Sequence, residues 1–146
     1  MAAATLFVDW SGLVVTVADL GSGRVLWHRA VRPGDVIELH YLHSVERTPV
    51  VEVFRAASDG LYLVEMRFVS QGAGLPTQGY VREGDHFVLR ANRKIGELPL
   101  RVSAVAGHYL RVGDDRLDLV RLAGDGAAVS LTSRRGAARL RLPGPR

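Results

Sequence analysis

One stretch decides the fold: His40-Tyr41-Leu42-His43-Ser44-Val45-Glu46-Arg47-Thr48-Pro49-Val50-Val51-Glu52-Val53-Phe54, where polar and ionisable side chains sit inside the most apolar part of the sequence. Side chains two positions apart share one face of a β-strand, so residues 36–45 present an apolar face and a polar face. Residues 46–49 are predicted to connect this strand to the next, since Pro49 cannot donate a ladder hydrogen bond. The stretch therefore predicts a β-hairpin.

The register of this hairpin defines a candidate pair of ionisable residues. If Val45 pairs with Val50, His43 lies opposite Glu52 on the apolar face, with the two Cβ atoms about 5 Å apart. Burying either group without a partner would cost several kcal/mol, as an order of magnitude. The pair is therefore interpreted either as a core pair that sets the register or as the polar floor of a pocket.

The rest of the chain also has the rhythm of an all-β domain. Strand-like runs recur at short intervals between glycine, proline and aspartate turns, and helical periodicity is almost absent. Pairing Phe54 with Val64 extends the hairpin into a three-strand meander. The 146 residues are thus predicted to form a single-domain antiparallel β-sandwich or barrel built from hairpins and a meander. The predicted strands are residues 5–10, 13–18, 24–31, 36–45, 50–54, 61–69, 85–91, 98–105, 107–112, 116–122 and 127–132.

Composition and spacing exclude several kinds of site. The chain has no cysteine, which rules out thiol catalysis, thiolate metal sites and iron–sulfur clusters. His40 and Ser44 share a strand face but lie some 13 Å apart, beyond hydrogen-bond reach. His40 and His43 point to opposite faces, so they cannot share a metal. No catalytic residue, metal or cofactor is predicted.

The carboxyl end is the most basic part of a chain with a formal charge of +4. Residues 134–146 carry five arginines and no acid, and are predicted to be a basic, flexible tail. Its arginines would gain about 1 kcal/mol each at an anionic membrane surface. The candidates for this contact are Arg134, Arg135, Arg139 and Arg141. Nucleic acid is disfavoured, because aromatic residues do not cluster with the basic ones. Since no run is long enough to span a membrane, the chain as written is expected to be soluble.

Two blocks of the sequence resemble a known family: His43-Ser44-Val45-Glu46-Arg47-Thr48-Pro49-Val50-Val51-Glu52-Val53-Phe54 and Phe68-Val69-Ser70-Gln71-Gly72-Ala73-Gly74-Leu75-Pro76. Together they resemble the bacterial and archaeal family named domain of unknown function 1850, and the likeness covers nearly the whole chain. Members are commonly encoded beside TRAP transporters of the TAXI type, which import small organic solutes with an extracytoplasmic binding protein. The resemblance implies an accessory role in transport and an extracytoplasmic, membrane-associated location, because many relatives carry an amino-terminal anchor or signal.

The two blocks also supply the candidate binding site. It consists of His43, Ser44, Glu46, Arg47, Thr48 and Glu52, with Ser70, Gly72 and Gly74 at its edge. The leading hypothesis is a non-enzymatic accessory module that binds a TRAP transporter component or a small anionic solute. A second hypothesis is a hydrolase that uses His43 and Glu52 as acid and base. A third is a lipid- or nucleic-acid-binding module that works through the tail.

Overall fold

The computed structural model describes residues 12–136. Apart from one helix of five residues, the regular structure in this range is β-strand, and the strand pairs are antiparallel, which confirms the predicted all-β antiparallel class. The strands are β1 (Leu13–Asp19), β2 (Val25–Val31), β3 (Val36–Leu42), β4 (Pro49–Ala57), β5 (Gly60–Phe68), β6 (Tyr80–Glu83), β7 (His86–Arg101), β8 (Tyr109–Val112), β9 (Asp115–Asp118) and β10 (Ala128–Arg135), and helix α1 is Leu119–Ala123. The predicted strand at residues 5–10 lies outside the described residues.

The strands of the described range form one curled sheet in the order β2-β1-β10-β7-β5-β4-β3-β8-β9, with β6 paired to β7. Strand β7 joins the two halves, because its first part pairs with β5 and β6 and its last part pairs with β10. The sequence predicts two strands here, broken near Gly96. The structure has one strand instead, because Gly96 is absorbed at a bulge opposite Leu61 and adopts a φ of 74° that suits glycine.

Because the sheet is curled, strands near the two edges of the sheet contribute side chains to one hydrophobic core. Val15 and Val17 of β1 belong to the same buried cluster as Ile37 of β3, Phe54 of β4 and Leu110 of β8. A smaller cluster of Val50, Phe68 and Leu75 lies at one end of the sheet, and Tyr41 packs against both clusters. Burial of these aliphatic and aromatic side chains is the main force that holds the sheet in its curled form.

The β3–β4 hairpin forms, but in a different register from the predicted one. Leu42 pairs with Pro49, Tyr41 with Val50 and Leu39 with Glu52. The prediction that His43 lies opposite Glu52 is therefore wrong. The partner of Val50 is Tyr41 instead of Val45, a shift of four residues, and because this shift is even, it leaves the same side chains on the core face. Alternation of apolar and polar residues cannot distinguish the two registers.

The predicted meander also forms, but the predicted pairing of Phe54 with Val64 is wrong because of a bulge that the pattern does not show. Val53 pairs with Glu65 and Phe54 with Leu63, so Val64 is left without a partner in the β4–β5 ladder. The extra residue exchanges the two faces of β5 at this point. Leu61 and Leu63 are consequently buried, where the simple alternation places Tyr62 and Val64.

Two further departures lie near the carboxyl end. The predicted strand 116–122 ends at Asp118, whose side chain accepts a hydrogen bond from the Arg121 N–H and so starts helix α1. Arg134 and Arg135, predicted to begin a flexible tail, belong to β10 and pair with Val14 and Leu13. Arg139 and Arg141 lie outside the described residues. Within residues 12–136 no helix has the length and apolar character to cross a membrane.

Candidate functional site

Two loops meet at one end of the sheet and bring the two family-like blocks together. The first loop, residues 43–48, joins β3 to β4; the second loop, residues 69–79, follows β5. The strands that carry them are neighbours, with Val50 paired to Phe68. The two loops, called the double loop below, contain every predicted binding residue except Glu52.

The side chain of His43 links the first loop to the second through a hydrogen bond. It is 7% exposed, and its Nε2–H donates to the carbonyl oxygen of Ala73 over 2.8 Å. Its Nδ1 accepts from the Glu46 N–H at 3.1 Å, which fits the neutral tautomer protonated at Nε2. Both ring nitrogens are therefore occupied by the protein itself. His43 positions the loops and is not free to hold a ligand or act as a base.

Gly72 and a hydroxyl pair complete the contact between the loops. A Cβ at Gly72 would lie 2.9 Å from both Glu46 Cγ and His43 Cε1, closer than real Cβ atoms approach such groups. The Thr48 and Ser70 hydroxyl oxygens lie 2.8 Å apart and share a hydrogen bond. A glycine is required at this point because the histidine ring occupies the space that any side chain would need.

The outer surface of the first loop is exposed and conformationally constrained. Ser44, Val45, Glu46 and Arg47 are exposed, and Val45 is 70% exposed. Arg47 has a φ of 57°, the one positive φ among the described non-glycine residues. This left-handed conformation costs of order 1–2 kcal/mol for a side chain like arginine. It is maintained by hydrogen bonds from Arg47 N–H to the His43 carbonyl and from His43 N–H to the Thr48 carbonyl.

A third loop lies at the same end of the sheet. The Leu42 N–H donates to the Ala106 carbonyl over 2.8 Å, which ties the end of β3 to the segment that precedes β8. This segment carries Val105, which is 65% exposed, and the second loop carries Val69, which is 43% exposed. Together with Val45, three valines are therefore exposed in the three loops at this end of the sheet.

Glu52 stands apart from the double loop, in a partly buried cluster on the concave face. The Tyr41 hydroxyl donates to Glu52 Oε1 over 2.8 Å. Burial raises the pKa of Glu52, while the bond from Tyr41 and the positive charge of Arg93 oppose that rise. Burial and the neighbouring carboxylate raise the pKa of Tyr41 in turn. The acid–base pair of the hydrolase hypothesis is thus not formed, because His43 and Glu52 have separate partners.

Sequence reasoning missed two histidine clusters. His108 is 7% exposed, its Nδ1 accepts from the Ser103 N–H, and its ring centroid lies 5.5 Å from that of Tyr41. Its pKa is lowered by burial. On the opposite face, the His40 ring stacks on the Tyr109 ring with their centroids 4.5 Å apart, and His40 Nε2 is hydrogen-bonded to Glu38 Oε2 at 2.8 Å. Strand alternation correctly places His40 and Tyr41 on opposite faces. It does not predict that His40 stacks on Tyr109, because that contact depends on the pairing of β3 with β8.

Over residues 12–136 no cluster of three or more histidine, aspartate and glutamate side chains is placed to hold a metal ion. Comparison with family models matches residues 37–119 to a family described as Domain of unknown function (DUF1850). The matched range includes both loops of the double loop, Glu52 and His108. Comparisons with curated proteins and with solved structures find no significant match.

Proposed function

This chain belongs to the DUF1850 family, and we propose that it is a non-enzymatic accessory module that docks onto a component of a TAXI-type TRAP transporter through the double loop. One observation carries the proposal: the double loop is held together by hydrogen bonds between its two parts, yet Val45 and Val69 are exposed to solvent. His43 uses both ring nitrogens within the protein. Val45, only two residues away, is 70% exposed.

Rigidity at an exposed apolar surface favours protein docking. A loop already held in its bound conformation loses little entropy on association, so more of the contact energy remains as affinity. Full burial of a valine side chain by a partner is worth about 1.5–3 kcal/mol. Val69 and Val105 are exposed at the same end of the sheet, as are the charged side chains of Glu46 and Arg47.

The identity of the partner rests on the family resemblance. Members of this family are commonly encoded beside TAXI-type TRAP transporters, and we take one of the transporter's proteins as the partner. In this proposal the module works on the extracytoplasmic side, where the solute-binding protein of such a transporter operates.

The test is co-purification of a tagged chain with the transporter components of its own host, solubilised in mild detergent. Val45→Asp is expected to reduce recovery of the transporter at least tenfold, because it removes an apolar contact and adds a charge. Val36→Asp is the matched control: Val36 is 48% exposed but lies at the start of β3, at the other end of the sheet. Absence of any transporter component with the unaltered chain, or equal recovery with both variants, would refute the proposal.

A further inference from the structure

A cleft of about 380 Å³ opens on the concave face of the sheet beneath the second loop. Its size is at the small end of the range for small-molecule sites. The walls are mainly apolar and come from β5, β7 and the second loop. They are formed by Leu63, Met66, Gly74, Leu75, Pro76, Leu89, Ala91 and Arg93. The predicted edge residue Gly74 therefore lies at this cleft rather than against His43.

Arg93 supplies the cationic group in the cleft wall. It pairs across the ladder with the buried Leu63, so both side chains lie on the concave face. The side chains before and after it lie on the outer face, where Asn92 accepts a hydrogen bond from Arg55 and Lys94 forms an ion pair with Asp59. Within residues 12–136, Arg93 makes no hydrogen bond or ion pair through its side chain. Its side chain is exposed, so a ligand can reach the guanidinium.

Glu52 places a second charged group beside the cleft. It lies directly opposite Met66 in the β4–β5 ladder, and Met66 is part of the cleft wall. Only Oε1 of Glu52 accepts a hydrogen bond from the described residues, from the Tyr41 hydroxyl. The positive charge of Arg93 acts on Glu52, so the two groups are close; a ligand carboxylate on Arg93 is opposed by Glu52, and a second negative charge in the cleft is opposed more strongly.

We propose that this cleft binds a small organic monocarboxylate, with its carboxylate on the Arg93 guanidinium and its apolar body against Leu63, Met66 and Leu89. Arginine can bind a carboxylate through two parallel N–H donors, and burial of an aliphatic or aromatic group of the ligand against the apolar walls adds affinity. A phosphate dianion fits poorly, because a single arginine would have to balance two charges. The inference does not rest on the docking function, since the exposed valines of the double loop play no part in it.

Three probes of equal chain length test the proposal with the purified full chain: hexanoate, hexanol and adipate. Binding is followed by methyl chemical shifts, where Met66 reports on the cleft because the only other methionine is Met1. Hexanoate is expected to bind in the millimolar range or tighter and to shift the Met66 signal. Hexanol, which lacks the charge, and adipate, which brings a second carboxylate toward Glu52, are each expected to bind about tenfold more weakly.

Matched variants separate the cleft from general attraction of anions. Arg93→Gln is expected to reduce hexanoate affinity about tenfold and leave hexanol unchanged. Arg90→Gln, on the same strand but directed to Glu83 and Glu65 on the outer face, is expected to bind hexanoate normally. Glu52→Gln keeps an acceptor for Tyr41 and is expected to improve adipate binding. Equal binding of hexanoate and hexanol, an unaffected Arg93→Gln variant, or no Met66 shift at saturating hexanoate would overturn the proposal.

Discussion

Substituting alanine for Gly72 is the most direct test of how the double loop is held together. The new methyl group would lie 2.9 Å from His43 Cε1 and 3.3 Å from its Nε2. The ring cannot turn away without losing its bonds to Ala73 and Glu46. Overpacking of this kind costs about 1–3 kcal/mol, and a buried hydrogen bond broken without replacement costs a similar amount. We therefore expect Gly72→Ala to lose about 1–3 kcal/mol of unfolding free energy.

Thermal unfolding measures this loss, which corresponds to a fall in Tm of about 3–10 °C for a chain of this size. Hydrogen exchange gives a local readout, because the Glu46 N–H should exchange faster once His43 Nδ1 is displaced. Gly21→Ala is the control: its Cβ would meet only Asp19 Oδ1 at 3.6 Å, and its φ is not positive. Equal Tm values for the two variants, with Glu46 exchange unchanged, would refute the steric account of Gly72.

Three further predictions concern the buried polar groups. Tyr41→Phe leaves Glu52 without its described donor and should cost about 1–3 kcal/mol in urea unfolding, whereas Tyr62→Phe, whose hydroxyl bond is exposed, should cost almost nothing. The pKa of Glu52 is raised in the folded state from 4.5, so the unfolding free energy should fall as pH rises above about 4.5. Glu52→Gln should make this fall smaller, and an unchanged pH profile of unfolding would contradict the prediction. The pKa of His108 is lowered from 6.5, so stability should fall as pH drops below about 6.5, and His108→Gln should remove that dependence in unfolding titrations; identical slopes in both proteins would contradict it.

The strand pattern predicted the fold class because alternation reports directly on burial. It placed His40 and Tyr41 on opposite faces, and the structure confirms this. It failed for α1, although the sequence carries a signal there: Asp118 caps the first turn and Gly124 follows the last residue, a common frame for a short helix. The strand preference of the neighbouring valine and leucine residues outweighed that signal in the prediction.

The residues of the candidate site stay a prediction, but the structure shows where they lie relative to one another. The two blocks do converge, with His43, Glu46 and Thr48 of the first contacting Ala73, Gly72 and Ser70 of the second. The predicted cross-strand partner of Glu52, His43, was wrong. A register shift by an even number of residues keeps the same side chains on the apolar face, so the sequence pattern cannot reveal it. The bulge at Val64 is equally invisible to alternation, which treats every residue as paired.

The amino-acid pattern was enough to establish that this chain is an antiparallel β-protein and that two short blocks hold its distinctive polar residues. These features are local, since they follow from the two-residue repeat of a strand and from residue identity. The folded chain was needed to show that both ring nitrogens of His43 are used within the double loop, while Glu52 accepts a hydrogen bond from Tyr41 beside a cleft that contains Arg93. The reason is physical: the acceptor for His43 Nε2 lies on Ala73, thirty residues along the chain, and the two meet only because β4 pairs with β5 and so places their loops side by side.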